Sequence, residues 1–249
     1  MRTVGLARAL SKQGYCSRSQ AQQLICSGQV WVNGAVKRNP EAPVFLGRDR
    51  IEVNGASIRS AEKIYLMLNK PRGLVTTASD EKGRPTIYAT LYATLGNSLP
   101  WVAPVGRLDK ASEGLLLLTN DSEWAARVLA PESHLPKIYH VQVSGITDAA
   151  LADALMKGVR VSNGDFLRVK EASILRPGNR NTWLAITLDE GKNRHIRRML
   201  ERLRVEVLRL VRVAIGPLTL GNLAKGASRR LTAAEKSNLD RAMQTLARG

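Results

Sequence analysis

Arg107 and Asp109 lie two residues apart in VGRLDKASEGLLLLTND, the stretch from Val105 to Asp121, just before four consecutive leucines. An Asp in a polar turn ordinarily caps backbone amides. On a loop that leads into a buried strand, the same carboxylate can instead be held against a substrate. Two further groups have side chains suited to chemistry: Lys137 with Tyr139 in KIYHV, and the basic run EGKNRHIRRM from Glu190 to Met199. Taken singly, each has an ordinary reading. A Tyr in an alternating strand belongs to a core or a sheet edge, and Arg194, Arg197 and Arg198 on a short helix make a solvated or phosphate-contacting face. A metal-dependent nuclease built on Asp109 with Asp121 or Glu113 would need clustered carboxylates, and the acids here are scattered. Asp121 is better placed to cap a following helix.

Such side chains need elements to hold them. Leu115 to Leu118, bounded by Gly114 and by Thr119-Asn120-Asp121, read as a core strand buried on both faces, which makes 106–114 the loop entering it. IYLMLNKPRG is a strand stopped by Pro71 and Gly73, and IYHVQVSG, TWLAITL and EVLRLVRVAIG supply three more. Ser122 is expected to cap a helix whose Trp124, Ala125, Val128 and Leu129 share one face. A second helix runs from Thr147 to Lys157 and is closed by Gly158; NRHIRRMLERL forms a third, with Ile196, Met199, Leu200 and Leu203 inward. Thr232 and Glu235 form a capping box that opens the last helix. Strands dominate and helices interrupt them irregularly. The fold class is therefore α+β, with a mixed, mainly antiparallel sheet.

Residues 1–60 read as a separate small unit, joined through a linker around SAEKI to a larger domain over 61–249. A first helix ends near Gly14. Ser17 caps a second, in which Ala21, Leu24 and Ile25 share a face and Gly28 marks a left-handed stop. QVWVNGAVKR and RIEVNGASI each carry Asn-Gly, a strong hairpin signal. Up to Ser60 there are nine Lys and Arg against three acids, so the unit is basic. Arg8, Lys12, Arg18, Lys37 and Arg38 are its candidate phosphate contacts. Any one of them, alone, is better read as a solvated surface charge.

Over the whole chain, 38 Lys and Arg against 21 Asp and Glu give a net charge of +17, which calls for a polyanionic partner. Nucleic acid fits better than a membrane surface, because no basic helix carries a bulky apolar face. No apolar run approaches the length of a membrane span, and MRTVGLARALSKQGY lacks the apolar region and cleavage site of a signal peptide. Cys16 and Cys26 are too few for a disulfide framework. With His134, His140 and His195 scattered, no metal-ligand spacing arises, and a reduced cytoplasm is the expected setting. GPLTLG is too sparse in glycine for a phosphate-cradling loop, and no cofactor is expected.

In this order, GRLDKASEGLLLLTND, KIYHV and EGKNRHIRRM resemble the pseudouridine synthases that modify bacterial ribosomal RNA. LARALSKQGYCSRSQAQQLICSGQVWVNG resembles the S4-like RNA-binding domain that precedes the catalytic domain in many of them, and IGPLTLGNLAKGASRRLT is similar to their C-terminal segment. The likeness covers nearly the whole chain. It implies an S4-like domain followed by a catalytic domain of pseudouridine synthase type. Asp109 then matches the catalytic aspartate, Tyr139 the tyrosine beside the target base, and Arg197 the basic residue paired with the aspartate. Arg107 would hold the RNA backbone or fill the space the base vacates, and Lys192, Arg194 and Arg198 would contact RNA. The implied partner is ribosomal RNA or a pre-ribosomal particle, met by a monomer that needs neither metal nor cofactor. WLAITLDEGKNR is closer to the branch acting on the large subunit. Two positions depart from the pattern: Ser122 stands for a glycine and His195 for Gln. A non-catalytic RNA-binding protein is the alternative. It accounts for the charge but not for Asp109, Tyr139 and Arg197 together.

Overall fold

The computed structural model describes residues 3–59, 61–78, 80–96 and 99–246. Its N-terminal part opens with β1 (Val4–Gly5), α1 (Leu6–Lys12) and α2 (Arg18–Cys26), followed by β2 (Val30–Val32), β3 (Ala35–Lys37), β4 (Pro43–Val44), β5 (Ile51–Val53) and β6 (Ala56–Ser57). Ser17 caps α2 reciprocally: its hydroxyl accepts from the Gln20 amide while the Gln20 side chain accepts from the Ser17 amide. Both Asn-Gly pairs turn as hairpins. Asn33 and Gly34 have φ of 52° and 81°, and Asn54 and Gly55 have 49° and 79°, the left-handed pair that such two-residue turns demand. One apolar cluster, including Leu6, Leu10, Ile25, Val30 and Ile51, fills the space between the two helices and the four-stranded sheet β3-β2-β5-β6.

The chain continues through β7 (Tyr65–Lys70), α3 (Ile87–Leu95), β8 (Ala103–Val105), β9 (Glu113–Thr119), α4 (Ser122–Leu129), β10 (Lys137–Ser144) and α5 (Ala149–Lys157). Then come β11 (Val159–Arg160), β12 (Phe166–Leu167), β13 (Glu171–Pro177), β14 (Asn181–Leu188), α6 (His195–Arg202), β15 (Val207–Ile215), β16 (Leu218–Thr219), β17 (Ser228–Arg230) and α7 (Ala233–Leu246). Nine of these strands form one sheet whose main path is β13-β14-β10-β15-β9-β7-β17. All its pairings are antiparallel except β15 with β9.

The leucine run lies in β9, every residue of which is buried. Leu116 and Leu118 pack on one face with α3, α5 and α6, while Leu115 and Leu117 pack on the other with α4 and α7. Alternate side chains of a strand point to opposite faces, so a strand covered on both sides must be apolar throughout. Gly114 (φ 101°) sits where β9 meets β15, and a Cβ there would strike the Arg212 carbonyl. Only glycine fits both demands.

Two local expectations are corrected. Of the two caps the sequence offers for α4, Asp121 holds and Ser122 does not: the Asp121 carboxylate accepts from the amides of Glu123 and Trp124. Leu129 does not join the buried face of Trp124 and Val128 but stands exposed near the helix end. The capping box of Thr232 with Glu235 is present, and Leu203 is partly buried against the core. The sequence reading has no helix over α3 and no strand over β13. Thr86 caps α3, and β13 is a largely exposed edge strand whose polar pattern carries little strand signal.

The two parts of the chain touch at the end of α1. The Trp101 amide donates to the Gly14 carbonyl at 2.8 Å, the Ala61 amide to that of Gln13 at 3.0 Å, and Lys12 pairs with Glu123 at 3.0 Å.

Candidate active site

The loop between β8 and β9 carries Asp109, and every carbonyl from residue 108 to residue 112 is engaged. Thr76 donates its hydroxyl to the Leu108 carbonyl at 2.7 Å and accepts from the Leu108 amide. The Lys110 carbonyl accepts from the Gly73 amide, and that of Ala111 from Arg197 Nη2 at 3.0 Å. Lys70 binds the other two: its Nζ donates to the carbonyls of Asp109 and Ser112, and also to that of Pro71. Lys70 ends strand β7 and is fully buried. Burial pulls its pKa down to about 8, against the opposing attraction of Asp109 and Glu113. A loop held at five successive peptides keeps its carboxylate in one place.

Asp109 is half-buried at a cavity of about 430 Å³. The cavity floor is sheet: Lys137 and Tyr139 from β10, Leu188 from β14, and Leu210, Arg212 and Ile215 from β15. One wall is the loop from Val105 to Ser112, with Val128 and Leu129 of α4 beside it. The opposite wall runs from Gly191 into the start of α6, ending at Arg197. Asp109, Tyr139 and Arg197, some ninety residues apart end to end in the chain, thus share one cavity, and Arg107, Lys192 and Arg194 line its exposed parts. Tyr139 is almost wholly buried, its ring on the apolar face of the sheet.

The direct pairing of Arg197 with Asp109 is corrected. Among the described residues no ion pair joins them; the guanidinium donates to the Ala111 carbonyl, and its Nε has no partner. Burial lowers the Arg197 pKa and repulsion from Arg194 adds to that, while Asp109 pulls the other way. The arginine therefore supports the loop that carries the carboxylate and acts on the carboxylate through space. Arg194, which caps α6, has φ of 49°, a left-handed conformation unusual for a side chain of its size.

His195, at the departure from the family pattern, is buried, and one ring nitrogen, Nε2, lies 3.0 Å from the Arg168 carbonyl. That carbonyl requires Nε2 to carry the hydrogen, and burial lowers the imidazole pKa. The ring is neutral near pH 7 and adds no charge beside Arg194 and Arg197.

Four other sequence-chosen cations are engaged with the protein. Lys12 pairs with Glu123. Arg38 folds back over Gly28 and donates to the Cys26 carbonyl at the end of α2. Arg198 pairs with Asp165 at 2.8 Å and hydrogen-bonds Asn163. Lys192 is exposed and pairs locally with Glu190. Arg8 and Arg18 are exposed on the N-terminal helices, and Lys37 is half-buried on β3. The carboxylates a nuclease would need are committed elsewhere: Glu113 is buried between Arg209 and Lys225, and Asp121 caps α4 and accepts from Tyr65.

Lys70, Thr76 and Arg212 are site residues that the sequence reading passes over. Lys70 was legible only as an odd lysine at the end of an apolar strand, in LMLNKPRG.

Residues 64–202 match the family model described as RNA pseudouridylate synthase, and residues 4–47 match the S4 domain. The chain is 38% identical over 245 residues to an uncharacterized RNA pseudouridine synthase of Aquifex aeolicus, covering 98% of this chain and 96% of that protein. It is 36% identical over 236 residues to the ribosomal large subunit pseudouridine synthase B of Bacillus subtilis, covering 94% of each. A crystal structure of a pseudouridylate synthase superposes with a TM-score of 0.64 at 28% identity, covering 95% of this chain and 99% of the other.

Proposed function

The chain belongs to the RNA pseudouridylate synthase family, and from that premise we propose that it isomerises a specific uridine of large-subunit ribosomal RNA, with Asp109 as the catalytic carboxylate. The observation that carries the choice of Asp109 is its setting: a half-buried acid on a loop tied at five carbonyls, facing a cavity shared with Tyr139 and Arg197. The choice of RNA is supported by the relative named for the large subunit, which is matched over nearly its whole length.

In this reading the uridine first leaves its stack, at a cost of a few kcal/mol, because its N1 side is out of reach in a helix. The cavity of about 430 Å³ is of the size that takes a small ligand. Asp109 then attacks C1′, steadies an oxocarbenium-like centre, or removes a ribose proton. By any of these routes the N1–C1′ bond breaks and its electron pair goes to the base. The base turns, C5 bonds to C1′, the C5 proton is lost and N1 gains one. Nothing is added or removed overall.

Tyr139 offers the flipped uracil a flat ring, and its hydroxyl assists removal of the C5 proton. Arg197 keeps positive potential beside the carboxylate. Arg107, exposed at the mouth, holds the RNA backbone or fills the place the base leaves. The S4 domain adds phosphate contacts through Arg8, Arg18 and Lys37, and a single copy of the chain suffices for one base per visit.

Asp109→Asn keeps the shape of the side chain and removes its charge. It is expected to abolish pseudouridine formation while RNA affinity stays within about threefold. Pseudouridine made at the normal rate by this variant would refute the assignment of Asp109. Mapping pseudouridines in ribosomal RNA from cells with and without the gene tests the choice of RNA: one missing site in large-subunit RNA is expected, and a missing site in small-subunit RNA overturns it.

A further inference from the structure

Arg212 is a buried cation of the cavity that the proposed roles leave unused. It stands on β15 directly opposite Tyr139 in the β10–β15 register, on the same sheet face as Leu210, and lines the same cavity. It is 6% exposed. Nε donates to the Leu115 carbonyl at 2.8 Å, which fixes the guanidinium plane, but Nη2 has no partner among the described residues. No carboxylate pairs with it there. The cost of taking this charge out of water is thus met by a single carbonyl. Its neighbour Lys137 records the excess positive charge: burial first, and then Arg212, lower the Lys137 pKa. Among the described residues, Asp109 is the only acidic side chain that lines the cavity.

A neutral uridine does not call for a buried, half-unpaired guanidinium on the strand beside Tyr139. An anion does. Cleavage of the N1–C1′ bond leaves the electron pair on uracil, where it spreads from N1 onto the two carbonyl oxygens O2 and O4. We infer that Arg212 is a further catalytic residue, which hydrogen-bonds a uracil carbonyl and stabilises the base as a leaving anion. The role rests on the reading that this cavity takes the flipped uridine. A preorganised donor at the site of developing charge is among the strongest devices available to an enzyme.

The geometry of the rearrangement favours a single fixed cation. To present C5 where N1 had been, the base must turn half a revolution about the line through N3 and C6. That turn also exchanges O2 with O4. A guanidinium that binds one carbonyl before the turn therefore meets the other after it, and it can hold the detached anion without moving. The carbonyl bond at Nε keeps the donor stationary meanwhile.

The test compares wild type, Arg212→Gln and Arg212→Lys in single turnover on in vitro transcripts of both ribosomal RNAs, made with uridine or with 5-fluorouridine. Consumption of the parent nucleoside is read by chromatography and mass spectrometry of nuclease digests. Fluorine withdraws electrons and makes uracil a better leaving group, so it lessens the need for Arg212. On uridine, Arg212→Gln is expected to be slower by about 10²–10³ at unchanged RNA affinity, and Arg212→Lys to fall between Gln and wild type. On 5-fluorouridine the Gln deficit is expected to shrink about tenfold. Equal deficits on the two substrates, or a loss of RNA affinity that accounts for the whole defect, would overturn the inference. If Arg212→Gln does not fold, the same comparison with Arg212→Lys decides. Wild type inactive on both transcripts overturns the underlying ribosomal RNA reading, whereas an active wild type with an equally fast Arg212→Gln overturns this inference alone.

Discussion

The S4 domain and the catalytic domain are both basic, but they place their charges in opposite ways. In the S4 domain no charged side chain is buried among the described residues, and Arg8 and Arg18 project from the helices into solvent. In the catalytic domain Lys70, Glu113 and Arg212 are all buried. Exposed charges cost little to fold and act on any polyanion within reach, weakened by salt. Buried charges cost much more, and they are retained where a fixed atom must face a particular partner. The one region is organised to attract and the other to position.

The largest effect expected from breaking this contrast is at Lys70. Lys70→Met removes the donor shared by the carbonyls of Pro71, Asp109 and Ser112. Activity should fall by at least about 100-fold, and the melting temperature by roughly 5–10 °C, since buried carbonyls lose their partner. Activity near the wild-type value would show that the Asp109 loop needs no such anchor. The pH dependence sharpens the point. Lys70 titrates at about 8 in the folded protein against about 10.4 in an unfolded chain. Between those values the unfolded state holds the proton and the folded state has lost it, so this lysine adds stability as the pH rises through that window. The stability gap between wild type and Lys70→Met, followed by urea melts, should widen from pH 8 to pH 10. A gap that narrows would contradict the buried, depressed lysine.

A smaller and different effect is expected in the S4 domain. The double variant Arg8→Ala, Arg18→Ala should weaken RNA binding about tenfold at moderate salt and make the salt dependence shallower by about two phosphate contacts. Its rate at saturating RNA should be unchanged. A slower saturated rate would mean that these arginines also position the substrate.

The smallest effect is expected at Lys12. It shares the first helix with Arg8 but gives its charge to Glu123 of the other domain, a carboxylate that is itself exposed. Lys12→Ala should leave RNA affinity within about twofold and shift the melting temperature by no more than about 2 °C. A loss of affinity matching that of the arginines would return Lys12 to the RNA-facing set.

Features that depend on neighbours a few residues away could be read directly from the order of the amino acids. The Ser17 and Thr232 caps, the two Asn-Gly hairpins and the leucine run between two covered faces follow from local sterics and hydrogen bonding, and each appears in the fold. Local reading slipped where two adjacent residues were both able to cap, as with Asp121 and Ser122. The ordered motifs around Asp109, Tyr139 and Arg197 were also legible, and the fold gathers them at one cavity. The partner of each charge, by contrast, became visible only in the folded chain. Lys12 meets Glu123 across 111 residues, Arg197 meets Ala111 across 86, and Lys70 reaches Ser112 across 42. A lysine that is solvated, paired or clamped on carbonyls looks the same in a sequence, because the energy of a charge is set by what surrounds it in space.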